Sequence, residues 1–139
     1  MNIQMETSLR SDYHLHAPMK RVLAEDISCR IGRRKFTAKK GIWWDGMSMP
    51  RLLWPIMGTP FTGKTLVPTF WHDVFFATHY FNCIYCNKIL EEMNSACGVS
   101  FVKRKLITGG LYAGSWVAYN AKTEKQIEGA MKHLEVEDI

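Results

Sequence analysis

Trp71-His72-Asp73-Val74-Phe75-Phe76 constrains this chain more than any other stretch. It sets an ionisable histidine and an adjacent acid at the head of an apolar helical run. Burying either group without a partner costs several kcal/mol, so a fold built round this run must leave the pair at the surface or supply it with polar partners. Phe70, Trp71, Val74, Phe75 and Thr78 recur at helical spacing, which predicts a helix starting near Pro68.

The remaining elements read as β first and α afterwards. Val22 to Ile31 and Arg34 to Lys39 flank Gly32-Arg33, a hairpin break, and Gly41-Ile-Trp-Trp adds a third short strand before the Asp45-Gly46 turn. Ser48 before Pro50 is suited to cap a short helix, Met49 to Met57. Helices are expected from Asn82 to Ala96, ending at Gly98, and from Ser100 to about Tyr119. Thr123-Glu-Lys-Gln126 is a capping-box signature for a last short helix. The expected fold class is therefore α+β: a small N-terminal antiparallel sheet of two or three strands, then a bundle of three or four helices. One domain covers residues 1–139: an N-terminal arm over about 1–18, a β part over 19–46, a mostly helical part over 48–134 and a tail over 135–139.

At 139 residues and nearly half apolar, the chain is long enough to bury a sizeable core, which excludes disorder. No apolar run approaches the roughly 20 residues that span a bilayer, and residues 1–20 lack a signal-peptide layout. A virion or the host cytoplasm is the expected location. The formal charge of +5 is concentrated in Arg30, Arg33, Arg34, Lys35, Lys39 and Lys40, with a second cluster at Lys103-Arg104-Lys105. Such clusters suit nucleic acid, anionic lipid or an acidic protein, or simply form a solvated rim.

Cys29, Cys83, Cys86 and Cys97 do not form a disulfide framework by their spacing. His79, Cys83 and Cys86 on one helix would share a face and could hold zinc, but apolar neighbours favour buried reduced thiols. Gly58-Thr-Pro-Phe-Thr-Gly63-Lys64-Thr65 matches the phosphate-loop pattern. Its setting does not: Pro50 and Pro55 interrupt the segment before it, Pro68 follows, and no parallel βαβ series surrounds it. It reads as a Gly/Thr loop.

Three segments together resemble a phage and prophage family classed as a domain of unknown function. They are Lys40-Gly41-Ile-Trp-Trp-Asp45-Gly-Met-Ser48-Met-Pro50-Arg51, His72-Asp73-Val-Phe-Phe76, and Cys86-Asn87-Lys-Ile-Leu-Glu-Glu-Met93. The family pattern runs P-A-G-F-x-T-D-x-A-S-V-P-R, a variable loop, H-D-x-L-Y, then A-D-x-x-F-x-x-A-M, and the resemblance covers about residues 20 to 118. Its variable loop falls where the phosphate-loop lookalike stands.

More loosely, an H-D helix followed by a helix bearing an acid is similar to the core of small secreted-type phospholipases. That likeness implies His72 as base, Asp73 as calcium ligand and Asn87 in the position that orients the histidine. Asn87 departs from both patterns, which favour Asp there. An amide can hold an imidazole but cannot offset the charge it gains; the equivalent exchange in a serine-protease triad costs about 10⁴ in turnover.

The leading expectation is a phage structural or binding component, virion- or tail-associated, with a hydrolase-like core kept as scaffold. Its partners would be other phage proteins in an oligomer or assembly. No cofactor is expected, and calcium is the candidate metal. The alternative is a calcium-dependent esterase or phospholipase at an anionic membrane during infection or lysis, with His72, Asp73, Asn87, Asp45 and Ser48 as site residues and Trp43, Trp44, Trp54 and Phe61 at the surface. Nucleic acid ranks below both. The discriminating feature is geometric: an active site puts a His72 nitrogen in an open cleft, and a sealed His72 is a scaffold. Asp45, Ser48 and His72 are expected to converge.

Overall fold

A computed structural model describes residues 1–14, 17–44 and 63–139. Seven strands come from these residues: β1 (Ile3–Met5), β2 (Ser11–His14), β3 (Ala17–Leu23), β4 (Ile27–Ile31), β5 (Arg34–Ala38), β6 (Trp43–Trp44) and β7 (Leu134–Asp138). A 3-10 turn, Gly63–Thr65, leads into α1 (Leu66–Thr78), followed by α2 (Cys83–Ala96), α3 (Phe101–Asn120) and α4 (Glu124–Met131). The α+β class holds, with more sheet than the sequence suggests. Two antiparallel sheets form, in the orders β1-β4-β5-β7 and β2-β3-β6. Residues 3–5 and 11–14, expected as an arm, are strands, and residues 134–138, expected mostly as tail, form the edge strand on β5.

The hairpin β4–β5 turns at Gly32, whose φ of 62° lies in the left-handed region that glycine enters without a Cβ penalty. The run expected as one strand from Val22 to Ile31 is broken between β3 and β4, at residues 24–26. Asp26 organises this corner: Oδ1 accepts from the Lys40 backbone N–H at 2.8 Å and Oδ2 from the Lys39 ammonium at 3.2 Å. Those bonds, the backbone one foremost, hold the Asp26 carboxyl below its ordinary value of 3.8. A carboxyl so depressed contributes stability that is present above 3.8 and is lost as pH falls through the lowered value. Asp26→Asn is therefore expected to match the parent's acid sensitivity near neutrality and to lose less stability below about pH 4. Urea midpoints taken across that range check this; parallel curves would contradict it.

Period-two alternation turns Ile27, Cys29, Ile31, Phe36, Ala38 and Leu134 inward and leaves Arg30, Glu135 and Glu137 outside. The basic hairpin is matched along its edge. Arg34 meets Asp138 at 3.4 Å, Lys35 meets Glu137 at 3.8 Å, and Lys39 meets Glu135 at 3.3 Å. Each pair is exposed and individually weak. Together they set acids of β7 beside three of the hairpin's cations, while Arg30, Arg33 and Lys40 stay exposed.

α1 runs through the middle of the molecule and is buried nearly all round, the expected state of a helix apolar on every side. Pro68 lies in its first turn, where the missing N–H has no helical acceptor to lose, so the proline opens this helix rather than breaking it. Phe75 meets Phe36 of β5 edge-on at 5.2 Å and Phe81 at 5.0 Å, joining sheet to helices. The other helices begin where their caps predict. Asn82 accepts from the Tyr85 N–H, Ser100 from Lys103, and Thr123 with Gln126 forms a complete capping box.

Candidate functional site

His72 is 1% exposed, as follows from its place on an enclosed helix. Its Nε2 lies 2.8 Å from Oδ1 of Asn87, which α2 presents across the helix pair. The Asn87 amide nitrogen donates to Ser115 Oγ of α3 at 3.1 Å. With its nitrogen so committed, Asn87 offers only its oxygen to the imidazole, so His72 Nε2–H is the donor of that bond. Ser115 Oγ lies 3.6 Å from Cys83 Sγ, a sulfur that can accept the hydroxyl proton. One polar chain, His72–Asn87–Ser115–Cys83, thus crosses three helices inside an apolar bundle.

The far side of the ring is different. Among the described residues His72 Nδ1 has no hydrogen-bond partner, and Asp73 Oδ1 lies 3.9 Å away, beyond hydrogen-bonding range. Asp73 is more open than its neighbour, with 14% of its side chain exposed. Phe76 lies against the imidazole, ring centres 4.2 Å apart. The arrangement can hold a neutral imidazole rigidly. A charge formed on that ring would find no carboxylate at Nε2, where Asn87 stands.

Of the residues read from the sequence, His72 and Asn87 are brought together and Asp73 is adjacent. Asp45 and Ser48 lie outside the described residues, as do the expected helix Met49 to Met57, Trp54 and Phe61. The sequence reading missed Ser115 and the part Cys83 plays in the same chain. A signal was present: Ser115 follows the buried Ile107 by eight residues, on the face that α3 turns to the bundle.

The zinc alternative is corrected by the fold. His79 is not on the helix of Cys83 and Cys86. It caps the C-terminus of α1 in the left-handed conformation, φ 51°, and its Nε2 lies 2.8 Å from the Tyr119 carbonyl. Burial raises the Cys86 thiol to about 12 and pushes Cys29 up as well, so both stay protonated. Among the described residues no group of three or more His, Cys, Asp and Glu could hold a metal ion. Lys64, the lysine of the phosphate-loop lookalike, donates to the Gly98 carbonyl at 3.4 Å. Among the described residues no helix is long and apolar enough to cross a membrane.

No curated protein and no solved structure matches this chain. A family model described as a protein of unknown function, DUF1353, matches residues 21–110, more than half of the chain. That span takes in β4, β5, α1 and α2, and with them His72, Asp73 and Asn87. The chain therefore belongs to the DUF1353 family.

Proposed function

We propose that this chain is a structural and binding component of a larger assembly, of the phage virion or tail type that its motifs resemble, in which the His–Asp core is a scaffold. The observation that carries the reading is the sealed His72, 1% exposed and bonded to the neutral amide of Asn87. A base that must reach substrate needs an open nitrogen, and one that gains charge in a low-dielectric core needs a counter-charge. His72 is placed instead where it ties α1 to α2 and, through Asn87 and Ser115, to α3. Mass spectrometry of purified particles tests the reading. The chain is expected at stoichiometric copy number, and its absence from particles overturns the proposal.

A second reading, a calcium-dependent esterase or phospholipase, is favoured by His72 Nδ1, which has no hydrogen-bond partner among the described residues and lies beside Asp73. With no metal-ligating cluster round Asp73 among the described residues, calcium there would rest on that carboxylate, backbone carbonyls and water. This reading expects ester hydrolysis that requires calcium, rises in Asn87→Asp as the missing counter-charge is supplied, and disappears in His72→Gln. Hydrolysis unaffected by either change, or none at all, rejects it.

A further inference from the structure

Cys83 and Cys86 form a pair for which the scaffold reading has no use. Both belong to the first turn of α2, where Asn82 caps the helix by accepting from the Tyr85 N–H at 2.8 Å. Cys83 is the first helical residue, and the Cys86 N–H closes the turn on the Asn82 carbonyl at 3.0 Å. Residues three apart on a helix are neighbours on one face. Their Cα atoms stand about 5 Å apart, inside the roughly 4.4–6.8 Å that a disulfide spans. The two sulfurs also feel each other: burial foremost, and Cys83 after it, raise the Cys86 thiol. The other cysteines lie elsewhere, Cys29 on β4 and Cys97 past the opposite end of α2.

The two thiols differ in access. Cys86 is 0% exposed, and its Sγ donates to the Phe81 carbonyl at 3.6 Å. Cys83 is 8% exposed and lines a groove of about 390 Å³ whose walls include Trp116, Lys88 and Asn120. That volume suits a small molecule, and a folded protein cannot enter it. Lys88 is exposed and offers an ammonium to a carboxylate on whatever enters.

We propose that Cys83 and Cys86 are a reversible dithiol–disulfide site, oxidised by a small, carboxylate-bearing disulfide that enters the groove beside Lys88. Cys83 gives its proton to water and its sulfur attacks one sulfur of that disulfide, whose S–S bond breaks; the departing thiolate takes a proton from solvent. The Cys86 sulfur then attacks Cys83 in the mixed disulfide, and its proton passes to the second departing thiolate. One S–S bond forms within α2, two protein thiols are oxidised, and the small disulfide is reduced to two thiols. Closing the bond draws the Cβ atoms in from the roughly 5–6 Å of helical neighbours to about 4 Å. Cys83 can supply that movement, because its N–H at the helix start has no helical acceptor to lose. The core responds. In the dithiol, Cys83 Sγ lies 3.6 Å from Ser115 Oγ and ends the polar chain that begins at His72. Turning toward Cys86 takes the sulfur away and strands the buried Ser115 hydroxyl, which loosens the tie between α2 and α3. None of this depends on the assembly reading.

The full chain is equilibrated with mixtures of reduced and oxidised glutathione, quenched in acid, alkylated with N-ethylmaleimide and mapped by peptide mass spectrometry. Cys83 and Cys86 are expected to lose alkylation together, with the loss of one hydrogen from each sulfur, and to regain it in excess reduced glutathione. Cys86→Ser is expected to hold a glutathione adduct on Cys83, and Cys83→Ser to leave Cys86 unmodified. Ser115→Ala has no hydroxyl to strand, so it is expected to reach half oxidation at a glutathione ratio about tenfold more reducing than the parent's. The parent's own map decides the matter even where a variant fails to fold. Both cysteines alkylated undiminished at every ratio, or a lasting glutathione adduct on Cys83 of the parent, overturns the proposal. So does an adduct on Cys86 in Cys83→Ser, or a disulfide that forms only after urea has unfolded the chain. An unshifted ratio for Ser115→Ala overturns the response of the core.

Discussion

Truncating Phe36 to Ala is expected to lower the free energy of unfolding by about 3–5 kcal/mol. The side chain is 0% exposed and is the hinge between sheet and helices. Its ring lies 5.2 Å from Phe75 of α1, 5.1 Å from Tyr80 and 5.7 Å from Phe81, so no single neighbour can relax into the space it leaves. The loss combines the transfer free energy of a buried aromatic, the edge-to-face contacts and an unfilled cavity. Since domains of this kind are stable by only about 5–15 kcal/mol, a large fraction of molecules would unfold. Urea titration checks the figure. A loss below about 1 kcal/mol, the range of surface substitutions such as Phe101→Ala, would mean that the sheet docks on the bundle some other way.

The polar chain carries the second large effect. His72→Ala strands Asn87 Oδ1, and Asn87→Ala strands both His72 Nε2 and Ser115, so each is expected to cost about 1–3 kcal/mol. Because one bond is common to both losses, the double variant should fall short of the sum by about 0.5–3 kcal/mol. Denaturant midpoints for the two single variants and the double complete the cycle. Strict additivity would show that the two side chains do not hold each other, and an unchanged His72→Ala melt would show that the imidazole is not buried. Either result would remove the support for a scaffold role.

Helices α2, α3 and α4 were legible because their signals are local. Asn82, Ser100 and Thr123 each satisfy orphaned N–H groups two or three residues on, and Gly98 supplies the left-handed residue that ends α2. Such bonds form within one turn and need no knowledge of the rest of the chain. The Gly32 hairpin was legible for the same reason. Strand β7 was not. Leu134-Glu-Val-Glu-Asp138 alternates as a strand should, but its partner β5 lies about a hundred residues earlier, and only that pairing distinguishes an edge strand from a tail. The match between acids on β7 and cations on β5 was visible in composition and had no meaning until the register joined them.

The candidate site divides in the same way. Sequence alone marked His72, Asp73 and Asn87 as polar residues on apolar helices, since three such residues in that setting demand partners. It also determined that Asn87 brings an amide and not a charge, a matter of side-chain chemistry that no fold alters. Tertiary structure alone decided that His72 is sealed, that its Nε2 is the nitrogen that meets Asn87, and that Ser115 and Cys83 complete the chain. Burial and donor direction depend on how three helices pack side by side, and that packing is set by the summed contacts of residues far apart in the chain, which no local pattern encodes.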